Sequence, residues 1–575
     1  MKYTDEQLDA AQAFSERKPL KVKAFAGSGK TTVLRLMANR DGRLGLYLSY
    51  NRQIAESSRN TFPRRVACMT AHALALSCLP KELQGKFAHT NALQTPLLER
   101  VLRSQVALPI SLARQYSPLV QATLHWYCVS SDPYPALHHV ERAMRDIYVE
   151  ADPVDVLAVM PALWDAIVTP TGPLPITFDA QLKLLQLAER PLPFDYVLAD
   201  EVQDTYPAIE MIIRNSGAQV AWVGDPSQQI YDFNGAENAM ARLSDLESYT
   251  LTQSFRFGEW LAELVQPLLR QLGDRDIIRG NPEIHTHRSK RRMPVLLARS
   301  NASLLVPLVN ARKANKSVCV LGGVDKLAAL LDSAERVMRN QRDETGLFAG
   351  LNSWREARDK AAQRGNRALR EVVKLIEEHK LRAVRGYVES ARYTGPDASL
   401  TLSTVHQAKG LEFERVGLLD DFRPNEEFLL RFRGKDIFAP APEALRHLYV
   451  ALTRAKYELN VPMSLARRFG IDNELNSQGI RGQAPSTRTE EVPIEIPATP
   501  VERRPENKAH PAYSAPVSHT VLTPKAAENP GSVTNSFWER WGTRVIIAAG
   551  VLANVLLADH KGFIDLSALL LSVGF

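Results

Sequence analysis

Cysteine is scarce. Cys68, Cys78, Cys128 and Cys319 are the only four in 575 residues, and they form no CxxC pair and no histidine spacing of the zinc-site kind. That excludes a disulfide scaffold and a metal ribbon and leaves reduced, mostly packed thiols. Long apolar runs are missing too. The longest, residues 545–558, has 14 residues against the roughly 20 needed to cross a bilayer, and Asp559, His560 and Lys561 follow it. Neither charge sign dominates: 71 Lys and Arg against 64 Asp and Glu leave a formal +7, a mild basic bias compatible with a polyanionic partner. The opening MKYTDEQLDAAQAF carries acidic residues where a secretory signal needs an apolar core, so a cytoplasmic protein is expected. Hydrophobic residues at 45% and charged residues at 23% exclude a mostly disordered, collagenous or polytopic membrane chain.

What is present is α/β alternation. At roughly 150 residues per domain, the length allows three or four folded units. Apolar strand candidates at 20–24, 44–49, 196–199, 220–224, 295–298, 318–321, 400–403 and 416–419 are separated by helix-length segments, the pattern of a largely parallel sheet. They fall into two groups, which predicts an α/β chain of two doubly wound parallel-sheet domains. The first covers residues 1–250 with an α-helical insertion at about 78–190, the second residues 251–475 with another at about 325–396. Nine prolines from Pro485 to Pro530, with Tyr513 the lone aromatic between them, read as a disordered linker over 476–535. In the final apolar segment, 536–575, Trp538 and Trp541 stand beside Arg540 and Arg544; it reads as a membrane-surface anchor or a helix that docks on a protein partner.

The strongest chemical signal follows the first strand. AFAGSGKTT, from Ala24 to Thr32, has the spacing of a P-loop, with Ala24 where the simple pattern places its first glycine. Gly27 and Gly29 let backbone N–H groups approach phosphate oxygens, Lys30 supplies charge to the β and γ phosphates, and the Thr31 hydroxyl can ligand Mg²⁺. DEVQD after strand 196–199 puts Asp200 and Glu201 at the C-terminal edge of the sheet, where open α/β folds carry their ligands. Asp200 is the candidate for a second Mg²⁺ ligand and Glu201 for the group that orients or deprotonates an attacking water. GDPSQQIY after the next strand makes Gln228 a candidate γ-phosphate sensor. One acidic strand end is often only a solvated turn; its pairing with a P-loop and a second motif makes coincidence a poor account.

Gln7, AGSGKTT, DEVQD, GDPSQQIYDFNGA, LTQSFRF, STVHQAKGLEFERV and LYVALTRAK, in this order across residues 4–457, resemble the motifs of the UvrD/Rep family of superfamily 1 helicases. KAFAGSGKTT and QQIYDFNGA are similar above all to the helicase core of F-box DNA helicases. The resemblance implies an ATP site with Mg²⁺ in the cleft between two RecA-like domains. Ala26, Gly27, Ser28, Gly29, Lys30, Thr31 and Thr32 would wrap the phosphates, Gln7 would read the adenine edge, and Phe255 would stack on it. Glu412, beside Gly410, would hold the ribose, and Arg256 and Arg454 would reach the γ-phosphate from the second domain. Thr32 is a departure, since members of the family often carry Arg there, and base discrimination is expected to be looser. A positioned arginine is worth roughly 10³ to 10⁵ in phosphoryl transfer, so arginines delivered by cleft closure would couple hydrolysis to domain motion.

Tyr231 and Phe233 offer ring faces to successive bases, each stack worth roughly 1 to 3 kcal/mol whatever the sequence. Packing at the domain interface is an equal reading for Tyr231. Asn51, Thr70, His72 and His406 match positions that in the resembled family touch the strand backbone. The basic run at 285–292 reads either as a phosphate contact or as a solvated loop. The expected function is an ATP-dependent helicase or translocase on single-stranded and tailed duplex DNA, with 3′ to 5′ polarity implied by the family. The alternative is an ATP-switched interaction protein, or a helicase-like subunit of a larger complex with little unwinding of its own. A P-loop kinase would leave Gln228, Arg256, His406 and Arg454 without roles.

Overall fold

In the computed structural model, residues 3–476 are described except 50, 89, 92, 107, 146, 148, 232–234, 237, 344–345, 364, 396, 423–428, 433–434 and 439–440, and only the backbone is described for 429–432 and 435–438. Phe233, and the linker and apolar tail from residue 477 onward, lie outside the described residues.

Two parallel sheets organise the chain. The first holds β1 (Leu20–Ala24), β2 (Gly45–Ser49), β3 (Val66–Thr70), β4 (Tyr196–Ala199), β5 (Gln219–Gly224) and β6 (Glu247–Leu251) in the order β3-β2-β4-β5-β1-β6. The second holds β7 (His287–Arg288), β8 (Val295–Ala298), β9 (Val318–Val320), β10 (Leu400–Thr404), β11 (Phe413–Leu418) and β14 (Ala455–Asn460) in the order β7-β14-β11-β8-β10-β9. A separate antiparallel hairpin pairs β12 (Leu429–Phe432) with β13 (Lys435–Phe438). All pairings within the two six-stranded sheets are parallel.

Burial explains which strands were easy to read. Every residue of β2 and β4 is buried, as expected for inner strands covered on both faces, and their sequences are near-continuous apolar runs. Within the two sheets the strands that escaped the sequence reading, β3, β6, β7 and β14, lie at or next to an edge; β6 and β14 interleave exposed polar residues, as in ESYTL and AKYELN, whereas β3, VACMT, has none exposed. β7 also lies inside the basic run at 285–292, where a loop or phosphate contact had been expected.

Among the described residues five cores fill the fold. Two lie on the faces of the first sheet, built around Tyr47, Phe14 and Val223 on one side and Leu46, Val197 and Trp222 on the other. Between β3 and β4 the chain is helical, from Ala71–Cys78 through Phe178–Leu187, and these helices bury a core of their own around Tyr127 and Trp164. Helices between Asp325–Met338 and Leu381–Glu389 pack with Asn301–Lys313 against the second sheet. The fifth core gathers helices Glu259–Gln271 and Pro442–Leu452, and it also takes in Phe25, Ala26 and Ile230 from the first lobe. The start of the P-loop is thus packed inside the neighbouring lobe. No helix among the described residues is long and apolar enough to cross a membrane.

Trp164 is fully buried and meets Tyr127 edge to face at 5.4 Å. Trp164→Ala should cost about 3 to 5 kcal/mol in the helical insertion. A fall in the urea midpoint, together with new protease cleavage between the insertion helices, is the expected measurement.

Candidate nucleotide and nucleic-acid sites

The P-loop is shaped by what crowds it. Gly27 has φ +76°, and a Cβ there would lie 2.6 Å from Ser254 Oγ and 2.7 Å from Arg256 Cβ, so only glycine admits this approach. The contact is fixed by the N–H of Phe255, which donates to the Gly27 carbonyl at 2.8 Å. Gly29, at φ +87°, caps helix Lys30–Arg40, whose first N–H groups form an anion-ready helix start. Ala24 is not among the positive-φ residues, which is why alanine is tolerated at the motif's first position.

Gln7 is clamped from two sides. Thr4 and Gln7 form a capping box on helix Asp5–Ser15, the Gln7 Oε1 accepting from the Thr4 N–H at 3.2 Å, while its Nε2 donates to the Ser28 carbonyl at 3.1 Å. At the end of β4, Asp200 Oδ2 accepts from Thr31 Oγ1 at 3.1 Å and from the Tyr47 hydroxyl at 2.8 Å. Burial, and then the charge of Glu201, push the Asp200 carboxyl up to about 6. Glu201 is a non-glycine residue in the left-handed region, φ 55°, a costly backbone of the kind that clusters at functional sites. Its carboxylate lies 3.5 Å from Lys30 Nζ and accepts from Gln203 Nε2 at 2.5 Å. Burial opposes its charge, but Lys30, Lys409, Gln203 and Arg454 outweigh it and hold Glu201 below the usual carboxylate range.

The second lobe completes the ring. Arg454, 1% exposed, donates to the carbonyls of Val450 and Leu411 and reaches Gln228 Oε1 at 3.4 Å. Burial, then the nearby Arg256, lower it to about 9. Arg256 pairs with Glu412 at 3.0 Å and donates to the Thr453 carbonyl at 3.4 Å. Gln228 Nε2 donates to Asp225 at 2.6 Å.

A cavity of about 370 Å³ collects Gln7, Gly27, Ser28, Gly29, Lys30, Thr31, Thr32, Asp200, Glu201, Gln228, Phe255, Arg256, Gly410, Glu412 and Arg454 on its walls, with Ser49 and Ile54. Of the nucleotide-site residues expected from sequence, Ala26 alone stands off the lining: it is fully buried, and its N–H donates to the Tyr449 hydroxyl at 3.1 Å. A larger cavity of about 1080 Å³ is lined by Asn51, Tyr231 and His406, with Arg299, Lys326, Arg367, Lys409 and His447 among its other residues. Ile54, Glu201 and Gly410 line both.

Thr70 and His72 are not brought to either cavity. Thr70 caps helix Ala71–Cys78 by accepting from Ala73, and His72 lies 3.8 Å from the buried carboxylate of Asp179, with its ring edge-on to Phe178. Tyr231 is half-buried and packs on cores of both lobes, while its hydroxyl donates to the His406 carbonyl at 3.0 Å. The interface-packing reading of Tyr231 is therefore realised in the geometry.

Sequence reasoning passed over four residues that organise this region. Tyr449 joins Ala26 to Asp225, and Tyr47 supports Asp200. Lys409 pairs with buried Asp204, donates to the Gln228 carbonyl at 2.6 Å and lies 5.2 Å above the Tyr231 ring. Tyr449, Lys409 and Asp204 sit inside LYVALTRAK, HQAKG and DEVQD, so the signal was present in the motifs; Tyr47 is hidden in the apolar run of β2.

Residues 7–234 match the AAA domain family and residues 326–466 the UvrD-like helicase C-terminal domain. The chain is 29% identical over 498 residues to F-box DNA helicase 1 of Gallus gallus, covering 79% of this chain and 48% of that protein. It is 29% identical over 504 residues to F-box DNA helicase protein 1 of Schizosaccharomyces pombe, covering 79% and 56%. A shorter match, 35% over 107 residues, links 18% of the chain to 15% of the ATP-dependent DNA helicase UvrD2 of Mycobacterium tuberculosis. The chain spans about half the length of the two F-box relatives. The chain thus carries a match to the UvrD-like helicase C-terminal domain beside one to the AAA domain family, and over 79% of its length it is homologous to the F-box DNA helicases.

Proposed function

We propose that this protein is an ATP-dependent translocase and helicase that moves 3′ to 5′ on single-stranded DNA, acting on single strands and tailed duplexes. The observation that carries the reading is the single cavity in which a P-loop, two strand-end carboxylates and two arginines of the other lobe converge. Lys30 and the helix start would receive the β and γ phosphates of ATP. Glu201, held ionised beside Lys30, would orient or deprotonate the attacking water, and Gln228 would sense the γ-phosphate. Gln7 gives one Oε1 lone pair to its helix cap and one Nε2 hydrogen to Ser28, so one lone pair and one N–H hydrogen remain to meet adenine. Phe255, 44% exposed, has an open ring face for the base, and Glu412 would take the ribose on release from Arg256.

The donor set at Thr31 and Asp200 fits Mg²⁺. A hydroxyl and a carboxylate oxygen 3.1 Å apart are hard oxygen ligands, and the carboxylate of Glu201 beside them adds negative charge that a cation would offset. Bound there, Mg²⁺ would neutralise phosphate charge. Arg256 and Arg454 would add to that neutralisation as the lobes close, and the shared wall of Ile54, Glu201 and Gly410 would pass the change to the larger cavity, which we read as the DNA track.

Arg256→Ala should lower the turnover of ATP by roughly 10³-fold or more while leaving its binding nearly unchanged. Glu201→Gln should stop hydrolysis and keep strand binding. Phosphate release and unwinding on 3′-tailed, 5′-tailed and blunt duplexes test both; parent-rate unwinding of a 3′-tailed duplex by Glu201→Gln would sink the assignment. A pH effect follows from Asp200. Its carboxyl is raised to about 6, so it gains a proton as pH falls through 6 and competes with Mg²⁺. Half-saturating Mg²⁺ in ATPase assays should be flat above pH 7 and climb about tenfold per pH unit below 6.

A further inference from the structure

Two buried histidines touch on the wall of the larger cavity. His447 is 1% exposed and lies on helix Pro442–Leu452, two residues before Tyr449. Its Nδ1 is 2.7 Å from the Glu443 carbonyl oxygen and its Nε2 is 3.1 Å from Nε2 of His406. His406 Nε2 is also 3.1 Å from the Ile230 carbonyl of the first lobe. The two rings meet edge to face, centroids 4.8 Å apart.

The hydrogens follow by elimination. A carbonyl only accepts, so His447 carries its hydrogen on Nδ1, toward Glu443, and presents a lone pair at Nε2. The Ile230 carbonyl likewise requires a hydrogen on His406 Nε2, and that hydrogen points between Ile230 and His447. One N–H therefore joins the first lobe, the HQAKG turn and the helix that leads to Tyr449 and Arg454. A proton added at His447 Nε2 would set N–H against N–H across 3.1 Å and break the contact. The charged groups around it are Glu443 and Arg446 on the same helix, Arg299 beyond β8 and Lys326 on helix Asp325–Met338; Tyr231 faces it from the first lobe. Burial, with the neighbouring His447, lowers His406 to about 4, in keeping with a neutral pair at pH 7.

We infer that His447 is a positioning residue: by accepting the Nε2 hydrogen of His406 it fixes that ring against Ile230 and ties the helix leading to Arg454 to the strand side of the molecule. The inference rests on the reading of the larger cavity as a DNA track. What it requires at position 447 is an acceptor. Glutamine can supply one through Oε1, whereas leucine fills the space and supplies none.

The test uses the full chain, with His447→Gln and His447→Leu beside the parent. ATP turnover is measured against the concentration of an oligo-dT strand from pH 5.5 to 8.5, with thermal melting as a check on folding. The leucine variant should need about tenfold more oligo-dT for half-maximal stimulation, because the His406 N–H, left with the Ile230 carbonyl alone, no longer holds the helix that leads to Arg454. The glutamine variant should stay within about twofold of the parent across this range, because the parent pair is neutral throughout it and an amide supplies the same acceptor. The inference is overturned if leucine matches the parent, or if glutamine fails as leucine does while both melt normally. Should the leucine variant melt early, His447→Met, flexible enough to fit the same space, takes its place under the same criteria: a raised oligo-dT requirement beside a parent-like glutamine variant supports the inference, and a parent-like methionine variant overturns it. A parent that oligo-dT does not stimulate defeats the DNA-track reading and this inference with it; a stimulated parent with unaffected variants defeats this inference alone.

Discussion

The seam between the lobes is organised around one phenol. Tyr449 is fully buried, accepts the N–H of Ala26 at 3.1 Å and donates to Asp225 at 3.3 Å, with its own ionisation pushed far up by burial and by Asp225. Because that N–H is already bound, Ala26 turns inward and the phosphate-ready amides begin beyond it. Removing the hydroxyl would leave a buried donor and a buried carboxylate short of partners, at about 1 to 3 kcal/mol for each group. The same residue packs in the core that holds Phe25 and Ile230, so apolar contact and hydrogen bonding fix the P-loop against the second lobe together.

Charge is crowded behind that seam, and the balance is local. Asp204 is matched by Lys409, Glu201 by Lys30, and Asp225 by the neutral donors Gln228 and Tyr449. Asp200 accepts from the Thr31 and Tyr47 hydroxyls and the Glu201 N–H but pairs with no cation among the described residues, and burial, then the charge of Glu201, moves its carboxyl toward the neutral form. Opposite it, Arg256 rests on a partly exposed Glu412, an exchangeable partner, whereas Arg454 is locked to backbone carbonyls. The two arginines are therefore unlike: one can swing, and the other moves only with its helix.

Much of this was legible in the sequence, for physical reasons. The inner strands announce themselves because burial on both faces forces continuous apolar runs, and the loops that follow carry the short polar motifs. Fifteen of the nucleotide-site residues named from those motifs do line one cavity. Edge strand β9 is apolar and was read, but a half-solvated edge strand such as ESYTL looks like a loop. Thr70 and His72 also have structural partners that position matching could not foresee, a helix end for one and a buried aspartate for the other. Tyr449 and Lys409 were in plain view, but what they do depends on which distant backbone groups come within 3 Å or so, and that information belongs to the fold.

The helical segment between β3 and β4 buries its own tryptophan-centred core, apart from the two that flank the first sheet. Its interior can be rebuilt without touching a single wall of the nucleotide cavity. Such modularity lets a lineage vary the outer helices, in length or in surface, while the engine they surround stays fixed.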